Sequence, residues 1–307
     1  KDADKLSASQ RQGNYQNWGH KYLSSLFAKI RLNNEETIIN HYFNHSLLNQ
    51  KNYKSIIPEF DKEEDALKNK SIFDNDTWNN FKEEINYFLT NMQNDEDFPS
   101  LISNILNIYE KYLWCIPDFT GTEKTDISLY NHLKDTAAFA HSIFLSDNNS
   151  KSLYLVVGDI PGIQNYIFSV VGKPAKMLRG RSLYVQLLSK VFSLVYLKEF
   201  GLTEANIIMV AGGKFYLLCP DINNFEESFH NVKNKIENYL FDTFHMKLRF
   251  NAGYSKFSRI DLYEKKINFG DVIEGANISL QNDKLHLFED KLFNSQFNYI
   301  LKEGFLD

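Results

Sequence analysis

A chain of 307 residues with 43% hydrophobic, 15% aromatic and 24% charged residues is long enough for about two domains of roughly 100 to 200 residues each. Its 14 Gly exclude a collagen repeat, its aromatic content excludes a disordered tail, and its 2 Cys exclude a disulfide-stapled secreted fold and suit a reducing, cytoplasmic setting. A net charge of -5 argues against indiscriminate coating of nucleic acid and leaves room for a local basic patch.

No stretch approaches the ~20 consecutive apolar residues of a membrane helix, and no basic, apolar signal stands at the front, so no membrane partner is expected. The chain opens at Lys1, inside a polar helix-like string, and is expected to be a piece of something longer.

From Lys1 to about Ser146 apolar residues recur at three and four positions: Tyr22, Leu23, Leu26, Phe27 and Ile30, then Ile102, Ile105, Leu106, Tyr109 and Leu113. That period predicts several amphipathic helices. Acidic clusters such as Glu59, Asp61, Glu63, Glu64 and Asp65 read as solvated loops between them. The polar run from Ser146 to Ser152 marks the domain boundary, giving a helical part over 1–150.

Beyond it, Leu153 to Val157 reads as a buried strand ended by Gly158-Asp159, and Pro161-Gly162 open a helical turn with Ile163, Tyr166, Ile167 and Val170. A Gly/Pro/Lys loop over Gly172 to Met177 precedes a long helix from about Ser182 to Glu199. Ile207–Val210 and Phe215–Cys219 flank Gly212-Gly213 as a hairpin. A helix over about Asn224 to Phe244 and a strand over Leu248 to Tyr254 follow. The predicted fold class is α+β: a helical domain, then over 151–257 a ferredoxin-like βαββαβ unit with one extra helix, then a helical extension over 258–307.

Three constellations bear chemistry. The first is Gly158-Asp159-Ile160-Pro161-Gly162-Ile163-Gln164, where a strand ends in a carboxylate and turns through glycine into a helix. Asp159 is either a helix cap or a metal-binding carboxylate of the kind that closes the first strand of a palm nucleotidyltransferase; both readings stay open. The second is the hairpin Ala211 to Phe215, where such a palm places further carboxylates around two cations about 4 Å apart. Here Lys214 and Phe215 stand instead, so no complete catalytic set is expected in this chain. Gly212 and Gly213 serve either as a tight turn or as a close backbone approach to a ligand. The third is Lys173, Lys176, Arg179 and Arg181 with Ser182, read as phosphate contacts or as solvated surface.

His41 and His45 lie four apart, as on one helical face, yet no Glu follows His41 as a zinc-protease motif requires. No Cys-x-x-Cys pair, nucleophile elbow, Walker loop or dinucleotide fingerprint occurs.

The strings GDIPGIQNYIF (158–168), MLRGRSLYVQLL (177–188) and GGKFYLL (212–218) resemble the first palm domain of the large, polymerase-like subunit of type III CRISPR effector complexes, Csm (III-A) branch. ADKLSASQRQ (3–12), YLWCIPDFT (112–120) and DISLYNHLKDTAAFAHSIF (126–144) resemble the same subunit's HD domain. The resemblance implies a longer parent: HD domain, first palm, zinc-binding linker domain, second palm with a GGDD hairpin, and a helical C-terminal domain. It implies single-stranded DNA cleavage at an HD metal site, and conversion of ATP with Mg²⁺ or Mn²⁺ into cyclic oligoadenylates between two palms. Both are triggered when guide RNA pairs with target RNA.

The departures limit what carries over. The early His-Asp ligands of an HD site are absent, and Asp4 matches a later one, stranded. By this resemblance Asp159, Ile160, Gly162, Gln164, Gly212 and Gly213 line a nucleotide cleft completed by the second palm and assembled with the other Csm subunits. A scaffold without catalytic role and a stand-alone nucleotide-binding palm are the alternatives.

Overall fold

The computed structural model describes residues 1–8, 22–26, 41–48, 57–59, 62, 75–92, 98–118, 126–169, 174–245 and 247–286. In chain order its main elements are α1 (Asp2–Ser7), α2 (Asn75–Asn91), α3 (Phe98–Leu113), α4 (Leu129–Leu145), β1 (Ser152–Asp159), α5 (Ile163–Phe168), α6 (Pro174–Glu199), β2 (Ile207–Ala211), β3 (Lys214–Pro220), α7 (Phe225–Phe244), β4 (Asn251–Ser258), α8 (Arg259–Tyr263) and α9 (Phe269–Lys284). They fall into two compact units, 1–9 with 138–307, and 10–137.

The sheet-bearing unit is organised by β1. Tyr154 and Val156 point into one hydrophobic layer, Leu153, Leu155 and Val157 into another, and none is more than 6% exposed. A strand buried on both faces needs apolar residues at every position, which is why this run does not alternate. The strand order is β2-β3-β1-β4 with every neighbouring pair antiparallel, and Asp159 stands opposite Lys214 on one side and Asn251 on the other.

One face of the sheet is covered by α6, through Val185, Leu188, Phe192 and Tyr196, and by α7, through Phe225, Phe229, Val232, Ile236 and Leu240. The other is covered by Val272, Ala276 and Leu280 of α9, with Ala3 and Leu6 of α1 and Ala138 and Phe139 of α4. Burying each large aliphatic side chain contributes about 1.5–3 kcal/mol, so both layers are needed to hold the sheet. Helix α9 lies flush on β4 because Gly253 has no side chain: a Cβ there would meet the Leu280 backbone nitrogen at 2.3 Å. Its N-terminus is fixed by a capping box, the Asn268 side chain accepting from the Asp271 amide at 3.0 Å and the Asp271 carboxylate accepting from the Asn268 amide at 2.8 Å.

The structure corrects four expectations. The long helix begins at Pro174, not near Ser182. Proline suits a first helical turn because the amide it lacks has no partner there, so the Gly/Pro/Lys stretch opens the helix from Pro174 onward. The last strand runs Asn251–Ser258, later than predicted. Residues 22–26 are not α-helical: Ser24 forms an isolated antiparallel bridge with Tyr42, while Phe27 and Ile30 lie outside the described residues. Residues 41–48 are likewise extended or irregular, so His41 and His45 do not share a helical face. His45 is buried and stacks on Tyr22 at 4.3 Å. Aromatic pairing across distant segments outweighs the local helical period here.

In the second unit α2 and α3 pack through Phe81 against Tyr109 and Tyr112. Glu84 accepts from Lys111 at 2.6 Å and from the Tyr112 hydroxyl at 2.7 Å. Of the predicted acidic cluster, Glu59 is exposed, and Asp61, Glu63, Glu64 and Asp65 lie outside the described residues.

Candidate functional site

The end of β1 is shaped by close approaches that only glycine allows. A Cβ on Gly158 would fall 2.2 Å from the ring of fully buried Phe215, so the β3 aromatic lies directly across the strand. Ile160 is buried and anchors the turn, and its amide donates to the Gly213 carbonyl at 3.0 Å. Gly162 has φ +88°, and a Cβ there would meet the Lys247 carbonyl oxygen at 2.8 Å. Gly213 has φ +89° and packs on the Ile163 side chain, whereas Gly212, at φ +60°, faces open space. The Gly158–Gln164 turn and the Gly212-Gly213 hairpin are thus one locked structure, with Gly162, Gln164 and Gly212 on its exposed rim.

Asp159 does not cap α5. The N-cap is Gly162, which offers no side chain, and the Asp159 carboxylate lies 2.7 Å from the Lys284 ammonium of α9. Lys214, opposite Asp159 in the β1–β3 register, donates to the Asn277 side-chain oxygen at 3.4 Å, which also accepts from the Tyr216 hydroxyl at 2.9 Å. Two ammonium groups therefore stand where a two-cation centre would need carboxylates. Among the described residues no group of three or more His, Cys, Asp or Glu is placed to hold a metal ion. The residues of this turn do not fit such a centre. Asp4 is exposed on α1, where its carbonyl accepts from the Ser7 hydroxyl and the Ala8 amide.

Behind the turn lies a half-hidden charge network. Lys233 sits 2.6 Å from Asp283 and 3.3 Å from Glu237, and Asp283 also accepts from the Asn251 side chain at 3.0 Å and the Ala252 amide at 3.1 Å. Burial opposes the Lys233 charge, but the bond to Asp283 and the fields of Glu237 and Asp283 outweigh it and hold its pKa above the ordinary lysine value. Nearby, burial and the charges of Asp283 and Glu237 push the Tyr196 phenol well above its usual pKa.

The basic cluster is divided. Lys176 and Arg179 are exposed on the first turns of α6, and Ser182 lies beyond them inside the helix. Arg181 turns back to donate to the Tyr166 carbonyl at 2.5 Å and the Ser169 carbonyl at 2.9 Å, with its guanidinium over the Tyr166 ring. Lys173 lies outside the described residues. Sequence reasoning passed over Lys247 and Arg249, which line a cleft of about 410 Å³ with Pro161, Gly162, Asn165, Tyr166 and Ser169. The signal was present: in Lys247-Leu248-Arg249-Phe250 the apolar residues are buried and the cations exposed, the alternation of an extended segment.

A four-stranded antiparallel sheet between two helical layers, with a glycine turn locked to a glycine hairpin, is the setting of the family comparisons. Residues 152–299 match the family model for the Csm1 subunit domain B, so that part of the chain is similar to this class of domain. The particular relatives are Cas10/Csm1 proteins of subtype III-A, described as CRISPR system single-strand-specific deoxyribonucleases. The chain is 28% identical to the Methanocaldococcus jannaschii protein over 193 residues, covering 50% of this chain and 24% of that protein. It is 26% identical to the Mycobacterium tuberculosis protein over 214 residues, covering 63% and 26%. It is 31% identical to the Thermococcus onnurineus protein over 156 residues, covering 47% and 20%. The chain thus resembles a segment of a Cas10/Csm1 subunit, and its matches span about a quarter of these relatives. Among solved structures, the Csm1-Csm4 cassette in complex with one ATP superposes with a TM-score of 0.69 at 21% identity, over 97% of this chain and 37% of that one. At that identity the likeness establishes the fold.

Proposed function

We propose that the chain is part of the large subunit of a type III-A (Csm) CRISPR RNA-guided effector complex, and that its sheet-bearing unit is a ferredoxin-like first palm supplying the non-catalytic half of an ATP cleft. The β-α-α-β-β-α-β order and the β2-β3-β1-β4 antiparallel sheet support that topology. The observation that carries the reading is the Gly158–Gln164 turn locked against Gly212-Gly213, with Lys214 and Lys284 in place of metal-binding carboxylates. Cyclic oligoadenylates made from ATP in the whole subunit would then need a second palm bearing the carboxylates for Mg²⁺ or Mn²⁺. Those cations would activate the attacking hydroxyl and neutralise the leaving pyrophosphate.

This chain's own residues bind and orient. Gly162, Gln164 and Gly212 lie exposed at the rim, with open space around Gly212, Ile160 and Gly213 fix its shape, and Lys176 and Arg179 of the basic cluster supply phosphate contacts at the helix surface. Residues 1–150 are the remainder of an HD domain with Asp4 as a stranded ligand of its divalent metal site, and 258–307 lead toward a zinc-binding linker domain. The partners are the second palm, the other Csm subunits, guide RNA, target RNA and single-stranded DNA, in the cytoplasm. With ATP and Mg²⁺ or Mn²⁺ the 307-residue chain alone is expected to make no cyclic oligoadenylate; robust product from it would overturn this assignment.

A further inference from the structure

On the sheet-bearing unit, away from the glycine turn, α1 and α8 enclose a cleft of about 300 Å³ lined by Asp2, Lys5, Leu6, Lys151, Arg259, Ile260 and Tyr263. Three cations face one carboxylate there, in a chain whose net charge is -5. Two of the cations, Lys5 and Arg259, are held in place before any ligand arrives. Lys5 lies over the Tyr263 ring, 5.2 Å from its centroid. The Arg259 amide donates to the Lys151 carbonyl at 2.8 Å, and its guanidinium donates through Nη2 to the Ser150 carbonyl. That leaves the Arg259 Nε–H buried without an acceptor among the described residues.

Three cations lining one cleft with a single carboxylate, Asp2, leave unmatched positive charge and donors at its surface, and the group that satisfies charge and hydrogen bonding together there is an oxyanion. The remaining wall is apolar: Leu6 is buried, while Ile260 and Tyr263 are 39% and 50% exposed. A bare inorganic anion would leave that wall in contact with water. A phosphate carried on a flat apolar body uses both halves, and the volume suits one nucleotide unit.

We propose that this cleft binds a nucleotide unit, its phosphate held by Lys5, Lys151 and Arg259 and its base against Ile260 and Tyr263. The unit comes either as a free nucleotide or as one residue of a single strand. The test is fluorescence anisotropy of a labelled deoxythymidine decamer with the 307-residue chain, titrated over a series of salt concentrations and in competition with AMP. The Lys5→Ala/Lys151→Ala double variant should bind about tenfold more weakly at low salt, and its log K against log salt slope should flatten by about 1.4, the share of two lysines on a single strand. Lys198→Ala, removing a cation from the far end of α6, should match the wild type. Displacement of the decamer by AMP assigns the site to free nucleotides, and failure of AMP to displace it assigns the site to strands. Absence of binding by both probes, or a double variant with wild-type affinity and slope, would overturn the proposal. Lys151→Glu alone provides a second reading if the double variant unfolds, with the same direction expected.

Discussion

Replacing Gly162 by Ala puts a methyl group where the structure has no room and no suitable backbone. The added Cβ would lie 2.8 Å from the Lys247 carbonyl oxygen, a backbone atom fixed by buried Leu248, and the residue would remain at φ +88°. Holding a non-glycine residue in the left-handed region costs about 1–2 kcal/mol, and forcing an extra carbon into a packed contact costs about 1–3 kcal/mol. The expected loss is therefore about 3 kcal/mol, or roughly 6–12 °C in Tm for a unit of this size. Gly180, in the interior of α6 with nothing within 4 Å of a Cβ, is the internal control: the same substitution there should stabilise by about 0.5–1 kcal/mol. Thermal unfolding followed by circular dichroism reads both. A Gly162→Ala variant as stable as the wild type would show that the turn is not locked against Lys247, and the account of the site would fail with it.

Four further outcomes are expected. Gly212→Asn, at an open tip where Asn tolerates positive φ, should leave Tm nearly unchanged yet raise the KM for ATP in the complete subunit; an unchanged KM would remove the hairpin from the cleft. Lys284→Met and Asp159→Asn should each cost about 1 kcal/mol and be strongly non-additive in a double-mutant cycle, because the pair at 2.7 Å is only partly exposed. Asp283→Ala should cost about 3 kcal/mol in urea unfolding, since it leaves Lys233 with Glu237 alone and strips an acceptor from Asn251 and Ala252. Burial pushes the Asp135 carboxyl up to about 6, with Lys134 opposing it only in part. Between the ordinary aspartate value and about 6 the folded chain holds more protons than the unfolded one, so stability falls as pH rises through that window. Asp135→Asn should therefore stabilise the chain by about 2 kcal/mol at pH 7 and give no gain below about pH 4, as read from urea unfolding at the two pH values.

Much of the sheet was readable because its cues are local. Leu153–Val157 announces a strand buried on both faces, Gly212-Gly213 announces the hairpin, and the spacing of Ile102, Ile105, Leu106, Tyr109 and Leu113 announces α3. Other features depend on distant partners. Pro174 looks like a loop residue until the helix behind it is known, while the His41 carbonyl accepts from the Ser25 amide and His45 stacks on Tyr22, contacts that no helical period announces. Asp159 reads as a cap or a metal-binding carboxylate from its neighbours in sequence, but its partner, Lys284, lies 125 positions away. The covering of the second sheet face by α9 was not legible, because the glycines that admit that helix are marked only by what they touch. Lys247 and Arg249 were the one site feature that alternation alone exposes.

The central claim is that the Gly158–Gln164 turn and the Gly212-Gly213 hairpin line a shared ATP cleft. Photo-crosslinking of an azido-ATP to the complete subunit in its complex, mapped by peptide mass spectrometry, tests this most directly. The account predicts ATP-competable adducts within 158–164 or 212–214. Specific adducts confined to other segments would contradict it.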